Sequence, residues 1–387
     1  PAQNPFPISG PHGILTEGPM KRKGRKEAGY EEPEQPQAVP ASARIAREQQ
    51  NVLRLTTEGP SNIDSKDFCG AFAALGLDNS WDSKAFKKGF KIDIKELSDE
   101  QVVFDMIGID PPLVNAFRRI LIAEVPTIAI TLVVVLQNTS VIHDENLAHR
   151  LGLVPIKFEP DRLKWRKENA DLTVEDSVIF SLTVKCPQGQ KKMSVYSKDL
   201  RWAPINQQQM DDLEDNDPPT VVDGDILLAQ LGPGQEIDLE CHCEKGIGKD
   251  HAKWSPVCTA WYKLHPVIRL EKEILNEDAE DLKRSCPMGV FDVEDVPKLG
   301  KRAVVVNERN CTTCRECLET FNGQEKGVML GKAKNHFIFS IESVGQVPAP
   351  DLFERALLKF QEKCKTAKES VASNRRQRQD PSSMVLS

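Results

Sequence analysis

The stretch DPPLVNAFRRILIAEVP, residues 110–126, constrains the fold more than any other part of the chain. Asp110 is a residue type that caps helices, and Pro111 suits a first helical position, where its missing N–H costs nothing. Pro126 forbids continuation beyond about Glu124. Between these limits Leu113, Val114, Phe117, Ile120 and Leu121 recur at i, i+3, i+4 spacing and form one apolar stripe that needs a partner surface. Arg118 and Arg119 project away from the stripe's centre. On the residues alone, this is a core helix carrying two solvated arginines. The run that follows, TIAITLVVVL (127–136), is about half of the roughly 20 residues that a membrane helix needs and reads as a buried strand.

A chain of 387 residues has room for two or three domains. Its mean hydropathy of -0.42 and its 26 prolines indicate that part of it is not packed. The net charge of -7 supplies no overall positive field, so contact with nucleic acid is expected only indirectly, and no membrane partner is expected. No basic segment followed by an apolar one opens the sequence. The ten cysteines are therefore expected in a reducing compartment, cytosol or nucleus, where close spacing points to metal rather than to disulfides.

Residues 1–60 lack apolar periodicity and read as a tail, in which KRKGRK (21–26) is either a nuclear localisation signal or a solvated charge run. Alternation in FKKGFKIDIKEL and VVFDMIGID predicts two strands. In HDENLAHRLGLVPI, Asp144 is expected to cap a short helix that Gly152 ends in a left-handed turn. From 157 to 253 short strand patterns predict an inserted β-rich domain, with DDLEDNDPP (211–219) as a solvated connection. Within it Ile237, Leu239, Cys241 and Cys243 share one strand face, so these two cysteines are read as small buried hydrophobes. HFIFSIESVG predicts a further strand, and GVMLGKA (327–333) lacks the spacing and hydroxyl of a phosphate loop. The segment from Pro348 to Ser370 predicts a helix with Asp351 and Glu354 at capping-box spacing and an apolar stripe of Phe353, Leu357, Phe360 and Cys364. Residues 373–387 read as a second tail.

Cys311, Cys314 and Cys317 are evenly spaced by three, with Cys286-Pro287 upstream. Three thiolates on one loop and a distant fourth match iron–sulfur ligation. Structural zinc is usually held by two Cys-x2-4-Cys knuckles, so it is the less natural reading, and four free thiols are the third. One such set supports at most a single cluster in a minor part of the chain, which weakens the reading of an electron carrier.

The strings VFDMIGIDPPLVNAFRRILIAEVPTIAI, NTSVIHDENLAHRLGLVPI, GKDHAKWSPV and HFIFSIESVG, in this order over roughly residues 85–370, together resemble the alpha-like assembly subunits of RNA polymerases. That family includes the archaeal D subunit and the N-terminal domain of bacterial alpha. The likeness is strongest to the subunit shared by eukaryotic RNA polymerases I and III. The third-largest polymerase II subunit carries zinc-binding cysteines after the GLVPI segment, whereas Lys157 to Val184 contains no cysteine, which argues against that paralogue.

The resemblance implies an α+β fold: a discontinuous dimerisation domain (85–156, 254–270 and 326–372), an inserted β-rich domain (157–253) and a small ferredoxin-like cysteine insert (271–325). It implies a non-catalytic scaffold in the nucleus, including the nucleolus, serving transcription of rRNA, tRNA and 5S RNA. A heterodimer with a smaller alpha-like subunit is expected through Leu113, Phe117, Ile120, Leu121, Phe353, Leu357 and Phe360, with Arg118 and Arg119 facing a large subunit. One 3Fe–4S or 4Fe–4S cluster is expected on Cys286, Cys311, Cys314 and Cys317, with zinc or no group as the alternatives, since some eukaryotic relatives have lost these cysteines. The rival readings are an iron–sulfur electron carrier, a zinc-stapled nucleic-acid-binding module and the polymerase II paralogue.

Overall fold

In the computed structural model, residues 51–63, 82–166, 173–214, 218–297, 299–319 and 327–379 are described. Six helices lie among them: α1 (Ser83–Gly89), α2 (Pro111–Ala123), α3 (Asp144–Gly152), α4 (Gln207–Glu214), α5 (Asn276–Ser285) and α6 (Ala349–Gln379). The rest is mainly strand, so the fold is mixed α and β.

The longest strand organises the first layer. β1 (Val52–Leu55), β2 (Pro60–Ser61), β3 (Lys91–Leu97), β4 (Gln101–Ile107), β13 (Val257–Leu270) and β16 (Val328–Ser343) form an antiparallel sheet in which β16 pairs with β1, β4 and β13. Alternation decides its faces: Val102, Phe104 and Met106 of β4 and Phe337, Phe339 and Ile341 of β16 are buried in one apolar cluster. Val114, Phe117, Ile120 and Leu121 of α2 and Leu352 and Ala356 of α6 join that cluster. Gly108 turns the chain from β4 toward α2 at φ +79°; a Cβ there would lie 2.5 Å from the Gly89 carbonyl oxygen.

The second layer contains β5 (Pro126–Asn138), β7 (Ser177–Lys185), β9 (Arg201–Ala203) and β12 (Glu236–Ile247), in the order β5-β12-β7-β9. Two short ribbons accompany it, β6 (Ile156–Lys157) with β10 (Thr220–Val221) and β8 (Met193–Tyr196) with β11 (Leu227–Leu231). Its core includes Ile237, Leu239, Cys241 and Cys243, the face read from alternation. Burial pushes the Cys241 thiol up to about 12, consistent with a small hydrophobe rather than a reactive thiol. Gln346 joins the two layers: its Nε2 donates to the carbonyls of Ile128 and Ile156.

The third unit comprises α5 and the hairpin of β14 (Phe291–Val296) and β15 (Gly300–Val305). Ala279, Leu282, Val290, Phe291 and Ala303 pack with Ile268 and Leu330 from the first sheet.

Several expectations change. The second core includes Ile128, Ile130, Leu147 and Leu151, and β5 pairs with β12 along its whole length. The tail expected over 1–60 contains β1, which pairs with β16 and with the short β2 at its end, and Val328–Ala333 of GVMLGKA belong to β16. Gly152 is the last residue of α3 and not left-handed, with the right-handed Leu153 at the C-cap and His143, not Asp144, at the N-cap. Asp351 sits inside the first turn of α6, which begins at Ala349 and extends to Gln379, into the expected second tail. Residues 211–214, three of them acidic, belong to α4 rather than to a bare connection. KRKGRK lies outside the described residues.

Candidate functional site

The cysteine cleft is assembled from two ends of the third unit. Cys286 follows α5, its N–H bonded to the Lys283 carbonyl at 3.4 Å. Beyond β15 the chain makes two 3-10 turns, Glu308–Asn310 and Glu316–Leu318. Between them Thr313 and Arg315 adopt left-handed φ values of 61° and 71°, which reverse the backbone on both sides of Cys314. The Thr313 N–H donates to Cys311 Sγ at 3.3 Å.

Cys286, Cys311, Cys314 and Cys317 thereby line one cleft, over a floor that includes Ile268, Phe291 and Leu330. Cys317 is buried, Cys286 and Cys311 are half-buried and Cys314 is exposed. Burial pushes the Cys317 thiol up to about 12, and Cys311, Cys314 and Cys286 add to the rise; burial raises Cys311 as well. Clustered thiols oppose one another's ionisation, and a cation among them removes that opposition, so the donor set fits a group held by thiolates. Among the described residues no three cysteine, histidine or acidic side chains already stand as a coordination shell, so the four thiols share a cleft rather than a finished site. The apolar cluster beneath the cleft is shared between this unit and Ile268 and Leu330 of the first sheet.

The helix face expected to meet a partner is divided by the structure. Phe117, Ile120 and Leu121 are buried within this chain, with the Phe117 ring 5.8 Å from Phe353 and 5.3 Å from Phe360. Those residues are covered by the chain's own sheet and α6. Leu113, Phe353 and Phe360 are half-buried, and Leu357 is 41% exposed. Arg119 is exposed, while Arg118 is half-buried and its Nε donates to Asn115 at 3.0 Å.

Sequence reasoning missed an apolar row beside this face. Ile92, Ile94 and Leu97 of β3 are exposed and pair with Met106, Phe104 and Val102, so they share the helix-bearing face of the sheet. The ring of Phe104, the cross-strand partner of Ile94, lies 4.9 Å from that of Phe353 on α6. The alternation in KIDIKEL was the available signal. Asp105 was also missed, although an acidic residue inside the apolar string VVFDMI is an anomaly that needs a partner. The structure supplies two: Arg309 Nη1 at 2.5 Å and His336 Nε2 at 3.2 Å.

The frame is thus a sheet backed by α2 and α6 and joined to a second β layer. A family model described as the RNA polymerase Rpb3/RpoA insert domain matches residues 134–257. The chain is 42% identical over 324 residues to DNA-directed RNA polymerases I and III subunit rpac1 of Dictyostelium discoideum, covering 82% of this chain and 92% of that protein. It is 41% identical over 340 residues to subunit RPAC1 of Mus musculus (84% and 96%) and 39% identical over 324 residues to that of Saccharomyces cerevisiae (79% and 94%). The chain belongs to the family of alpha-like subunits shared by RNA polymerases I and III.

Proposed function

We infer that this chain is a non-catalytic assembly subunit of nuclear DNA-directed RNA polymerases I and III. The carrying observation is the likeness of about 40% identity extending over most of the chain to proteins bearing that subunit name. Neither an electron carrier nor the polymerase II paralogue is supported by it. The chain works by presenting surfaces.

One surface draws on the exposed apolar Ile92, Ile94 and Leu97 of β3 and on Leu357 of α6, where Phe353 and Phe360 are half-buried. Exposed large apolar side chains favour a partner that removes them from water, here a smaller alpha-like subunit. The buried stripe of α2 supports this surface from beneath. Arg119, exposed on α2, and Arg118 offer guanidinium forks to carboxylates or carbonyls of a large subunit.

The cysteine cleft is the second element. Cys286, Cys311, Cys314 and Cys317 would hold one iron–sulfur cluster, and a zinc ion would use the same thiols. Either group would act as a staple between the end of α5 and the loop after β15.

Affinity purification of the tagged chain from nuclear extract tests this function. Both polymerase I and polymerase III large subunits and a small alpha-like chain are expected to copurify. Recovery of polymerase II large subunits instead would reassign the chain, and recovery of an oxidoreductase without any polymerase subunit would overturn the scaffold reading.

A further inference from the structure

The cysteine loop is fastened to the first sheet by Arg315, whose Nη1 donates to the Thr57 carbonyl in the β1–β2 turn at 3.3 Å, and by one ion pair. Arg309, two residues before Cys311, donates from Nη1 to Asp105 Oδ1 at 2.5 Å, and the Lys263 ammonium donates to the Arg309 carbonyl at 3.1 Å. Asp105, Ile338 and Lys263 are cross-strand partners on β4, β16 and β13, so the loop is gripped by one row across three strands. Asp105 is almost fully buried, with 5% of its side chain exposed, and its second oxygen lies 3.2 Å from His336, whose ring stacks on His265 at 4.2 Å. On its own strand, Asp105 lies between Phe104 and Met106, which face the helices on the other side of the sheet. A buried carboxylate that loses a cation partner is strongly unfavourable, so movement of the loop away from the sheet is opposed at this point.

We propose that the Arg309–Asp105 ion pair is a latch that positions the cysteine loop on the central sheet, so that ordering of the thiols and packing of β4 and β16 are thermodynamically coupled. The proposal uses the reading of the cleft as a thiolate site only for its metal arm. Arg309 and Asp105 are positioning residues: neither lines the cleft, and each acts through the backbone that carries Cys311, Cys314 and Cys317. Coupling of this kind is reciprocal, so an ion that orders the loop must stabilise the strands by the same factor by which the latch improves its binding.

The experiment uses the full chain with its copurified small partner, stripped of metal under anaerobic conditions. Arg309→Met removes the latch from the loop side and Asp105→Asn from the strand side; far-UV circular dichroism establishes that each remains folded. Amide exchange across 308–318 is expected to speed up at least tenfold in Arg309→Met. Cobalt(II) titration, read by thiolate-to-cobalt absorption, is expected to show affinity at least tenfold weaker. Saturating cobalt should slow exchange at 104–107 and 336–338 in the unaltered chain and not in Arg309→Met. Unchanged loop exchange in a folded Arg309→Met overturns the latch, as does unchanged cobalt affinity. If the unaltered chain gives no cobalt absorption, the thiolate-site reading falls while loop exchange alone still decides for or against the latch.

Discussion

Replacing Phe117 by alanine tests whether α2 is part of this chain's own core or an interface waiting for its partner. Phe117 is 7% exposed and lies between Phe353 and Phe360, with Val114, Ile120 and Leu121 beside it in the cluster under the helices. Truncating a buried phenylalanine costs about 3–5 kcal/mol. Two tilted ring contacts, each of the kind worth roughly 0.5–1.5 kcal/mol, argue for the upper half of that range. A loss of about 4 kcal/mol corresponds to nearly three decades in the unfolding constant at roughly 1.36 kcal/mol per decade. Leu357→Ala is the control: the side chain is 41% exposed, so its truncation should cost about 1 kcal/mol. Urea unfolding of the chain, followed by far-UV circular dichroism, measures both, with equal m-values required before midpoints are compared. Equal losses in the two variants, or a loss below about 1 kcal/mol for Phe117→Ala, would show that the α2 stripe lies open in the free chain and that the division between core and interface is wrong.

The opposite pattern is expected for pairing. Ile94→Glu and Leu357→Glu should leave the chain folded and abolish capture of the small alpha-like partner in a pull-down; full capture by both would remove these residues from the interface. Stability should fall with acid in two stages. Burial and the neighbouring His336 hold His265 below the ordinary 6.5, so the unfolded chain takes up that proton first and stability declines as pH drops below that value. Burial alone would raise Asp105, but hydrogen bonds from Arg309 and His336 outweigh it and hold the carboxyl below 3.8, so its contribution is present above that value and is lost as pH falls through the folded one. The urea midpoint against pH should show both declines, and Asp105→Asn should make the lower one shallower, leaving the weak, solvent-screened share of Glu280, Asp292 and Glu362. Anaerobically purified protein should be brown, with iron and acid-labile sulfide in near-equal amounts, and Cys314→Ser should bleach it while the core of Leu282 and Phe291 keeps the segment folded. Stoichiometric zinc without sulfide would replace the cluster by a zinc staple.

The boundaries of α2 were legible because Pro111 and Pro126 act through sterics within a few residues, and the buried face of β12 because alternation is local. The cysteine loop was legible as a triple for the same reason. Its meeting with Cys286 in one cleft depended on α5 and the β14–β15 hairpin folding back, which spacing alone does not state.

What the sequence by itself determined, then, is local: where helices start and stop, which side of a strand is apolar, and which thiols share a loop. Tertiary structure decided which apolar groups find cover inside the chain. Phe117 and Leu357 lie on stripes of the same periodicity, yet one is enclosed by rings from α6 and the other is left to water. Asp105 looked like a defect in an apolar strand until Arg309, 204 residues later, arrived to neutralise it. Val52–Leu55 becomes a strand only because the N-terminal half of β16 offers it an edge. Each of these outcomes depends on pairings between residues far apart in the chain, and periodicity within a segment carries no information about what will be brought against it.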